Sequence, residues 1–406
     1  MDWNLKTDQC TGCCACLDVC PVGAITMEVD ESGSRRPQLN NSLCISCAKC
    51  KKVCPQFSKV KDGEIDKKAY IGICENDSLY QKSSSGGIFA AIALSFLERG
   101  GVVYGAAVTH NNKGIDCHHI RISDKKDIPL IQGSKYAQSK MDGIYKRIKE
   151  DIKGGNKVLF SGTSCQVAAI KNVIGENENL VTIDLVCHGV PKDEIFYSYI
   201  NFLESRYKAC IKDLSFRIKG YRCFWSDSSY VLKLSFTGKK SNRLVYIPKD
   251  KSAYYKLFLQ RASYRESCYT CQYASLNKPA DLTLGDFRPT PGESHEYKLQ
   301  HARSYSSIII HTSRGKALLD SANCSLQLAP IPINKMVIHH NNLQHPSTIT
   351  DEGKLLIGLY NQKGVEGLQG YLDRNYLKNQ VRLALRKNVK RIKNYIANIR
   401  KEFKKL

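Results

Sequence analysis

Apolar positions along this chain change their period several times, and each change marks an element. In AITMEVDESGSRRPQLNNS apolar and polar residues alternate, turn at Glu31-Ser32-Gly33-Ser34 and resume as a short strand, which predicts a β-hairpin. The charged stretch FSKVKDGEIDKKAY after Cys54 reads as a linker, and beyond it the texture becomes α/β. SSSGGIFAAIALSFLERGG sets serines before an apolar run in which Ile88, Ile92 and Phe96 share a face, with Gly100-Gly101 after it. That predicts a capped helix running into the strand VVYGAAV. KVLFSG predicts a strand meeting the turn Gly162-Thr163-Ser164, and CQVAAIKNVIG the helix after it. LVTIDLVCHG predicts another strand ending in a loop, with Pro191 suited to the first turn of the helix PKDEIFYSYINFLESRY. Strand-end loops of such sheets collect functional groups, and Cys165 and Cys187 both sit on them. No stretch of about 18 apolar residues occurs, so no membrane-spanning helix is expected.

The last pattern is the strongest. From Gly370 to Leu406, Leu377, Val381, Leu385, Val389, Ile392, Ile396, Ile399 and Phe403 recur every three or four residues, predicting one long amphipathic helix. It holds 12 Lys or Arg against 2 Asp or Glu, a share of +10 in a chain of net charge +23. Such a helix can lie on an anionic membrane surface, dock on an acidic partner or pack on its own domain with a solvated basic face. Nothing else in the chain resembles a nucleic-acid-binding module, so no nucleic-acid role is expected.

Composition adds the compartment. At 42% hydrophobic and 24% charged, 406 residues read as a globular chain of two or three domains. The opening MDWNLKTDQC carries no export signal, so the 18 cysteines are expected in the cytoplasm, reduced, serving metals or redox chemistry. Their spacing then selects the metal. Cys10, Cys13, Cys16 and Cys20 read CxxCxxCxxxCP, and the pattern returns at Cys44, Cys47, Cys50 and Cys54 before Pro55. This is the bacterial ferredoxin run, in which three close thiolates serve one cubane and the fourth serves the other. The expectation is one [4Fe–4S] on Cys10, Cys13, Cys16 and Cys54, and a second on Cys44, Cys47, Cys50 and Cys20. A zinc site would want two CxxC pairs at longer separation. Cys14 belongs to neither set and reads as a small packed residue.

Six stretches then occur in order: SSSGGIF (Ser83 to Phe89), GSKYAQS (Gly133 to Ser139), FSGTSCQ (Phe160 to Gln166), DLVCHGVP (Asp184 to Pro191), SCYTCQY (Ser267 to Tyr273) and DLTLGDF (Asp281 to Phe287). Together they resemble the family of coenzyme F420 hydrogenase/dehydrogenase beta subunits, over roughly Tyr70 to Ile331, with the ferredoxin module fused in front. The resemblance implies an FAD-containing iron–sulfur oxidoreductase. It implies a third [4Fe–4S] cluster in the flavin-bearing part, for which Cys165, Cys187, Cys268 and Cys271 are the cysteines in matched motifs. A dithiol at Cys268 and Cys271, or simple packed cysteines, is the plainer alternative. Cys74, Cys117, Cys210, Cys223 and Cys324 receive no role.

For the flavin, Ser84, Ser85, Gly86 and Gly87 precede a helix and suit a pyrophosphate, as do Gly162, Thr163 and Ser164; ordinary helix caps are the alternative at both. Lys135 is a candidate to place positive charge beside the reduced ring, or else a surface lysine. His188 and Asp286 are candidate proton donors or flavin partners, His188 alternatively a loop residue orienting Cys187.

The expected fold is an α+β ferredoxin-like N-terminal module followed by an α/β flavin-binding core and a C-terminal basic helix. The expected domains are 1–62 for the module, 63–156 and 157–345 for the N- and C-terminal domains of the family, and 346–406 for the tail. Two functions remain open. One is an enzyme moving electrons between clusters and FAD, with hydride exchange with coenzyme F420 or reduction of another organic substrate. The other is a subunit relaying electrons to a separate catalytic protein. Expected partners are a ferredoxin or the deazaflavin coenzyme, with the tail able to reach the inner face of the membrane or an acidic protein.

Overall fold

The computed structural model describes residues 7–58, 66–111, 114–220, 230–237, 243–299, 304–322 and 325–376. Among them, strands β1 (Ile25–Val29) and β2 (Arg35–Leu39) form the antiparallel hairpin that the alternation predicts. The remaining strands are β3 (Lys68–Cys74), β4 (Val102–Asn111), β5 (Gly114–Ile122), β6 (Val158–Ser161), β7 (Leu180–Leu185), β8 (Cys210–Arg217), β9 (Tyr230–Thr237), β10 (Arg243–Pro248), β11 (Leu282–Phe287), β12 (Tyr305–Ile310) and β13 (Leu326–Ile331). Eight of these build a mixed sheet in the order β13-β3-β12-β11-β7-β6-β4-β5. Its centre is parallel, β4 with β6, β6 with β7 and β7 with β11. The edges turn antiparallel at β5, β12 and β13. Sequence positions on both sides of residue 156 supply strands to this one sheet.

Side-chain alternation explains why helices cover both faces. Val103, Leu159 and Ile183 point to one side, where the helix Ile88–Glu98 buries Ile88, Ile92 and Phe96 against them. Val102, Tyr104, Val158 and Phe160 point to the other and meet the helices Ile144–Lys153 and Ser164–Ile174. A second core forms where the sheet β10-β9-β8 meets the helices Asp193–Tyr207, Ala253–Leu259 and 351–376.

Local chemistry differs from expectation at two helix starts. The helix Ile88–Glu98 begins on Gly87 in the left-handed region at φ 86° with no side-chain cap, so the serines before it do not close it. Pro191 lies ahead of the helix that starts at Asp193, in a bridge with Tyr264, and Lys192 is the capping position.

At the C-terminal end, helix 351–376 packs on the second core through Leu356, Tyr360, Leu368 and Leu372. Gln369 Oε1 also accepts the Ala253 N–H at 3.0 Å. Gly370 to Tyr376 therefore belongs to a packed helix, while the basic pattern from Leu377 to Phe403 lies outside the described residues, as do Cys223 and Cys324. No helix among the described residues is long and apolar enough to cross a membrane.

Candidate functional site

The two halves of the N-terminal module share backbone geometry. Gly12 and Cys14 in the first loop, and Ser46 and Ala48 at the same places in the second, all lie in the left-handed region with φ between 53° and 66°. Alternation of left- and right-handed residues turns successive N–H groups inward, a concavity suited to an anionic centre. Each loop ends in a short helix, α1 (Ala15–Asp18) and α2 (Lys49–Val53). One cavity, the inner cradle, is lined by Cys10, Cys13, Cys16 and Cys54 together with Cys14, Met27 and Pro37. The outer cradle is lined by Cys20, Cys44, Cys47 and Cys50 with Val22, Leu39 and Ile45. The fourth cysteine of each run thus faces the cavity of the other.

Donor chemistry in both cradles fits a cluster. The Gly12 N–H donates to Cys10 Sγ at 3.4 Å and the Ala24 N–H to Cys20 Sγ at 3.2 Å, contacts that favour a thiolate-bound centre. Burial, assisted by the nearby Cys54 and Cys10 thiols, pushes Cys13 up to about 12, so a cationic metal centre is what would make this group a thiolate near neutrality. Among the described residues no trio of Cys, His, Asp or Glu closes on a single ion. A cubane wants a wider set, one thiolate at each corner. Cys14 is buried, and its Sγ lies 3.9 Å from the Arg35 guanidinium and 3.5 Å from Gly12 O.

The inner cradle is fastened to the core. Asp18 accepts the Gly143 and Tyr145 N–H groups at 2.8 and 3.1 Å, capping the helix Ile144–Lys153 from the module, and Tyr145 donates to Cys13 O at 2.6 Å. Tyr273 donates to Pro55 O at 2.9 Å. Beneath the first loop lies Arg265, 1% exposed, which donates to Arg35 O at 2.8 Å and Cys10 O at 3.4 Å and pairs with buried Asp193 at 3.2 Å. Gly12 leaves room for this guanidinium, whose Cζ would stand 2.9 Å from any Cβ there.

Cys165, Cys187 and the pair Cys268 and Cys271 come together from three places in the chain. Burial raises Cys187 strongly, and the thiols of Cys268, Cys165 and Cys271 raise it further. Burial also pushes Cys165 up to about 12, with Cys271 and then Cys13 of the inner cradle among the neighbours felt. The Val190 N–H donates to Cys268 Sγ at 3.4 Å, the same contact seen in the module. Topology explains the meeting. Cys165 opens the helix after β6, Cys187 follows β7, and Pro191 bridged to Tyr264 draws in the segment carrying Cys268.

The flavin candidates divide between two places. Gly162, Thr163 and Ser164 sit beside the four cysteines, where their polar groups are engaged. Thr163 and Gln166 form a capping box, the Gly162 N–H is bound to Ile183 O at 3.1 Å, and Ser164 is buried against Lys278. Ser84, Ser85, Gly86 and Gly87 gather at the ends of β3 and β12, with Ser134 of the GSKYAQS loop against Ser84, while the Lys135 ammonium lies toward Cys117 of β5. Ser85 donates to Tyr305 O, Ser84 Oγ accepts the Ser134 N–H at 2.7 Å, and Lys135 Nζ donates to Gln132 O at 2.9 Å. Burial pushes Lys135 down to about 8. Lys219, not singled out in the sequence, donates to Tyr80 O at 2.6 Å and to Ser85 O. The Gly86 N–H is bound to Ser306 Oγ at 3.0 Å, and a Cβ there would collide with Gly72 O. Gly86→Ala is expected to lower stability by about 1–3 kcal/mol through overpacking, measured by chemical denaturation; a change under about 0.5 kcal/mol would show the strands yield.

His188 follows Cys187 and keeps an exposed edge, while the protein around it pushes its imidazole down by desolvation. Its carbonyl accepts from Ser347 at 2.6 Å. Asp286 pairs with the Arg217 guanidinium at 2.5 Å, and Arg217 and Arg288 both lie over the Tyr230 ring. Buried His119, pushed down to about 4 by burial, holds the GSKYAQS loop: Nε2 donates to Ser161 O at 2.9 Å, leaving Nδ1 to accept from Ser139 Oγ at 2.7 Å. No motif marks Arg265, Lys219 or His119; their roles exist only across long sequence separations.

Comparison with known proteins places this arrangement. Residues 9–57 match the 4Fe-4S dicluster domain. Residues 69–146 match the N-terminal model of the coenzyme F420 hydrogenase/dehydrogenase beta subunit, and residues 155–335 match its C-terminal model, together more than half of the chain. The chain belongs to the family of coenzyme F420 hydrogenase/dehydrogenase beta subunits. Within this oxidoreductase family, it is 22% identical over 348 residues to an F(420)H(2) dehydrogenase subunit of Methanosarcina mazei, covering 81% of this chain and 86% of the relative. It is 37% identical over 73 residues to Polyferredoxin protein MvhB of Methanothermobacter marburgensis, covering 16% and 18%. A chain of the F420-reducing [NiFe] hydrogenase complex from Methanosarcina barkeri superposes with a TM-score of 0.42 at 14% identity, over 78% of this chain and 94% of that one. This member of the F420 beta-subunit group is thus an iron–sulfur electron-transfer protein of mixed α/β fold.

Proposed function

We propose that the protein is an iron–sulfur flavoprotein oxidoreductase carrying electrons between its surface and FAD, with coenzyme F420 or another organic molecule exchanging hydride at the flavin. The supporting observation is the order of the thiol sets: the outer cradle at the tip, the inner cradle beside the core, and the third set near enough for Cys165 to feel Cys13. Cys10, Cys13, Cys16 and Cys54 would hold one cluster, Cys44, Cys47, Cys50 and Cys20 the second, and Cys165, Cys187, Cys268 and Cys271 a third. A cubane supplies one-electron chemistry and FAD two-electron hydride chemistry, so the pair converts one kind of transfer into the other.

Of the two serine–glycine turns, 84–87 suits the FAD phosphates better. The helix behind it starts without a side-chain cap, leaving first-turn N–H groups for an anion, whereas Thr163 and Gln166 cap the other. Lys135 would put its charge beside the reduced ring. Half-buried Lys219 adds a second cation near Ser85. His188 and Asp286 would stand by for proton delivery, His188 from beside Cys187. The second reading, relay to a separate catalytic subunit, is favoured by the name of the M. mazei relative, itself one part of a dehydrogenase.

Anaerobic purification with iron and flavin analysis separates the readings. Three clusters give about 12 iron atoms per chain, and Cys268→Ser is expected to lower this to about 8. A wild-type value of about 8 would remove the third cluster, and clusters without flavin would leave only the relay.

A further inference from the structure

The two cradles of the module differ in exposure. Cys13 and Cys16 of the inner cradle are buried, whereas Cys47 of the outer cradle is exposed. Around it the surface is apolar: Ile45 is 61% exposed, and Leu43 and Val22 are exposed beside it. Helix α2, which carries Cys50, adds Lys49, Lys51 and Lys52, all exposed, with Lys51 resting over the exposed Phe57 ring at 5.4 Å. Two of the module's acidic groups are engaged elsewhere. Asp18 caps the helix Ile144–Lys153, and Asp30 pairs with Arg36 at 2.8 Å. An exposed apolar ring with a lysine rim around a redox site is a surface for a partner, and its charge selects an acidic one.

We propose that Val22, Leu43, Ile45, Lys49, Lys51 and Lys52 form the docking face for a small acidic protein with its own one-electron centre. The proposal rests on reading the outer cradle as a cluster site. One electron passes per encounter: the carrier is oxidised and the outer cluster reduced, or the reverse, with no bond made and no proton moved. A second copy of the chain fits poorly, because each copy carries a net charge of +23 and would bring lysines against lysines.

Stopped-flow electron transfer from a chemically reduced acidic [2Fe–2S] ferredoxin to the full-length holoprotein tests this. The double variant K51E/K52E is expected to lower the second-order rate constant at low salt by roughly tenfold or more. The difference is expected to close near 1 M salt, where the Debye length is about 3 Å. K149E/K153E makes the same change in net charge on the exposed side of the helix Ile144–Lys153, outside the proposed face, and is expected to stay within about twofold of wild type. Dithionite reduction of all three proteins should yield the same cluster signal by electron paramagnetic resonance. Equal rates for K51E/K52E and wild type at low salt, or an equal fall in the control, would overturn the docking face. So would a dimer that K51E/K52E dissociates, because the face would then belong to a second copy. If wild type shows no cluster signal with dithionite, the cluster reading itself fails. A normal signal with charge-independent rates fails the docking face alone.

Discussion

Cys20→Ser is expected to empty the outer cradle and spare the inner one, although Cys20 lies within the run that opens at Cys10. Its sulfur faces the cavity lined by Cys44, Cys47 and Cys50, while Cys54 faces the cavity of Cys10, Cys13 and Cys16. Loss of one thiolate ligand removes or degrades a cubane, so iron falls by up to about four atoms per chain. Cys54→Ser is expected to do the converse. The converse variant also costs more stability, because metal binding is coupled to folding and the inner cradle holds Tyr145, Arg265 and Ser267 through backbone carbonyls. Electron paramagnetic resonance of the reduced variants, with iron analysis, distinguishes the two signals. Loss of the inner signal in Cys20→Ser would reverse the pairing.

Arg265→Met is expected to destabilise the protein by about 3–5 kcal/mol, the penalty for leaving a buried carboxylate without its partner. Asp193 is 3% exposed and, among the described residues, keeps the Arg35 N–H at 2.8 Å as its hydrogen-bond donor once the Arg265 guanidinium is gone, and Arg35 O and Cys10 O lose a donor. The double variant R265M/D193L, which removes both charges, is expected to recover part of the loss because no bare ion remains. Anaerobic urea denaturation measures both. A loss below about 1 kcal/mol for Arg265→Met would mean that water reaches Asp193.

Much of the site was legible because its information is local. Eight cysteines and two prolines within 46 residues specify both cradles, and the crossed assignment follows from spacing alone. The helix Ile88–Glu98 and strands β4, β6 and β7 were equally plain, since alternation and 3.6-residue periodicity are read directly from neighbours. Other features depend on distant partners. Ser83 to Ser85 look like a cap, yet Gly86 must press against Gly72 and Ser306 and leaves Gly87 to begin the helix. Pro191 looks like a helix start, but its place is decided by Tyr264. Strands β3, β12 and β13 are held by pairings across more than 200 residues, beyond any local pattern. Arg265 is one arginine among many until Asp193 and Cys10 O are brought to it.

That same arginine gives the molecule an order of assembly. Its bond to Cys10 O spans 255 residues, so the floor of the inner cradle is made only when two-thirds of the chain exists. The outer cradle draws on residues 20 to 50 alone. During vectorial synthesis the tip can fold around its own four thiols while the rest is still emerging, whereas Cys165 and Cys187 meet Cys268 and Cys271 only once residue 271 has been added. A chain that stalls before residue 265 would carry its most exposed thiol set first and lack the lock that fastens it.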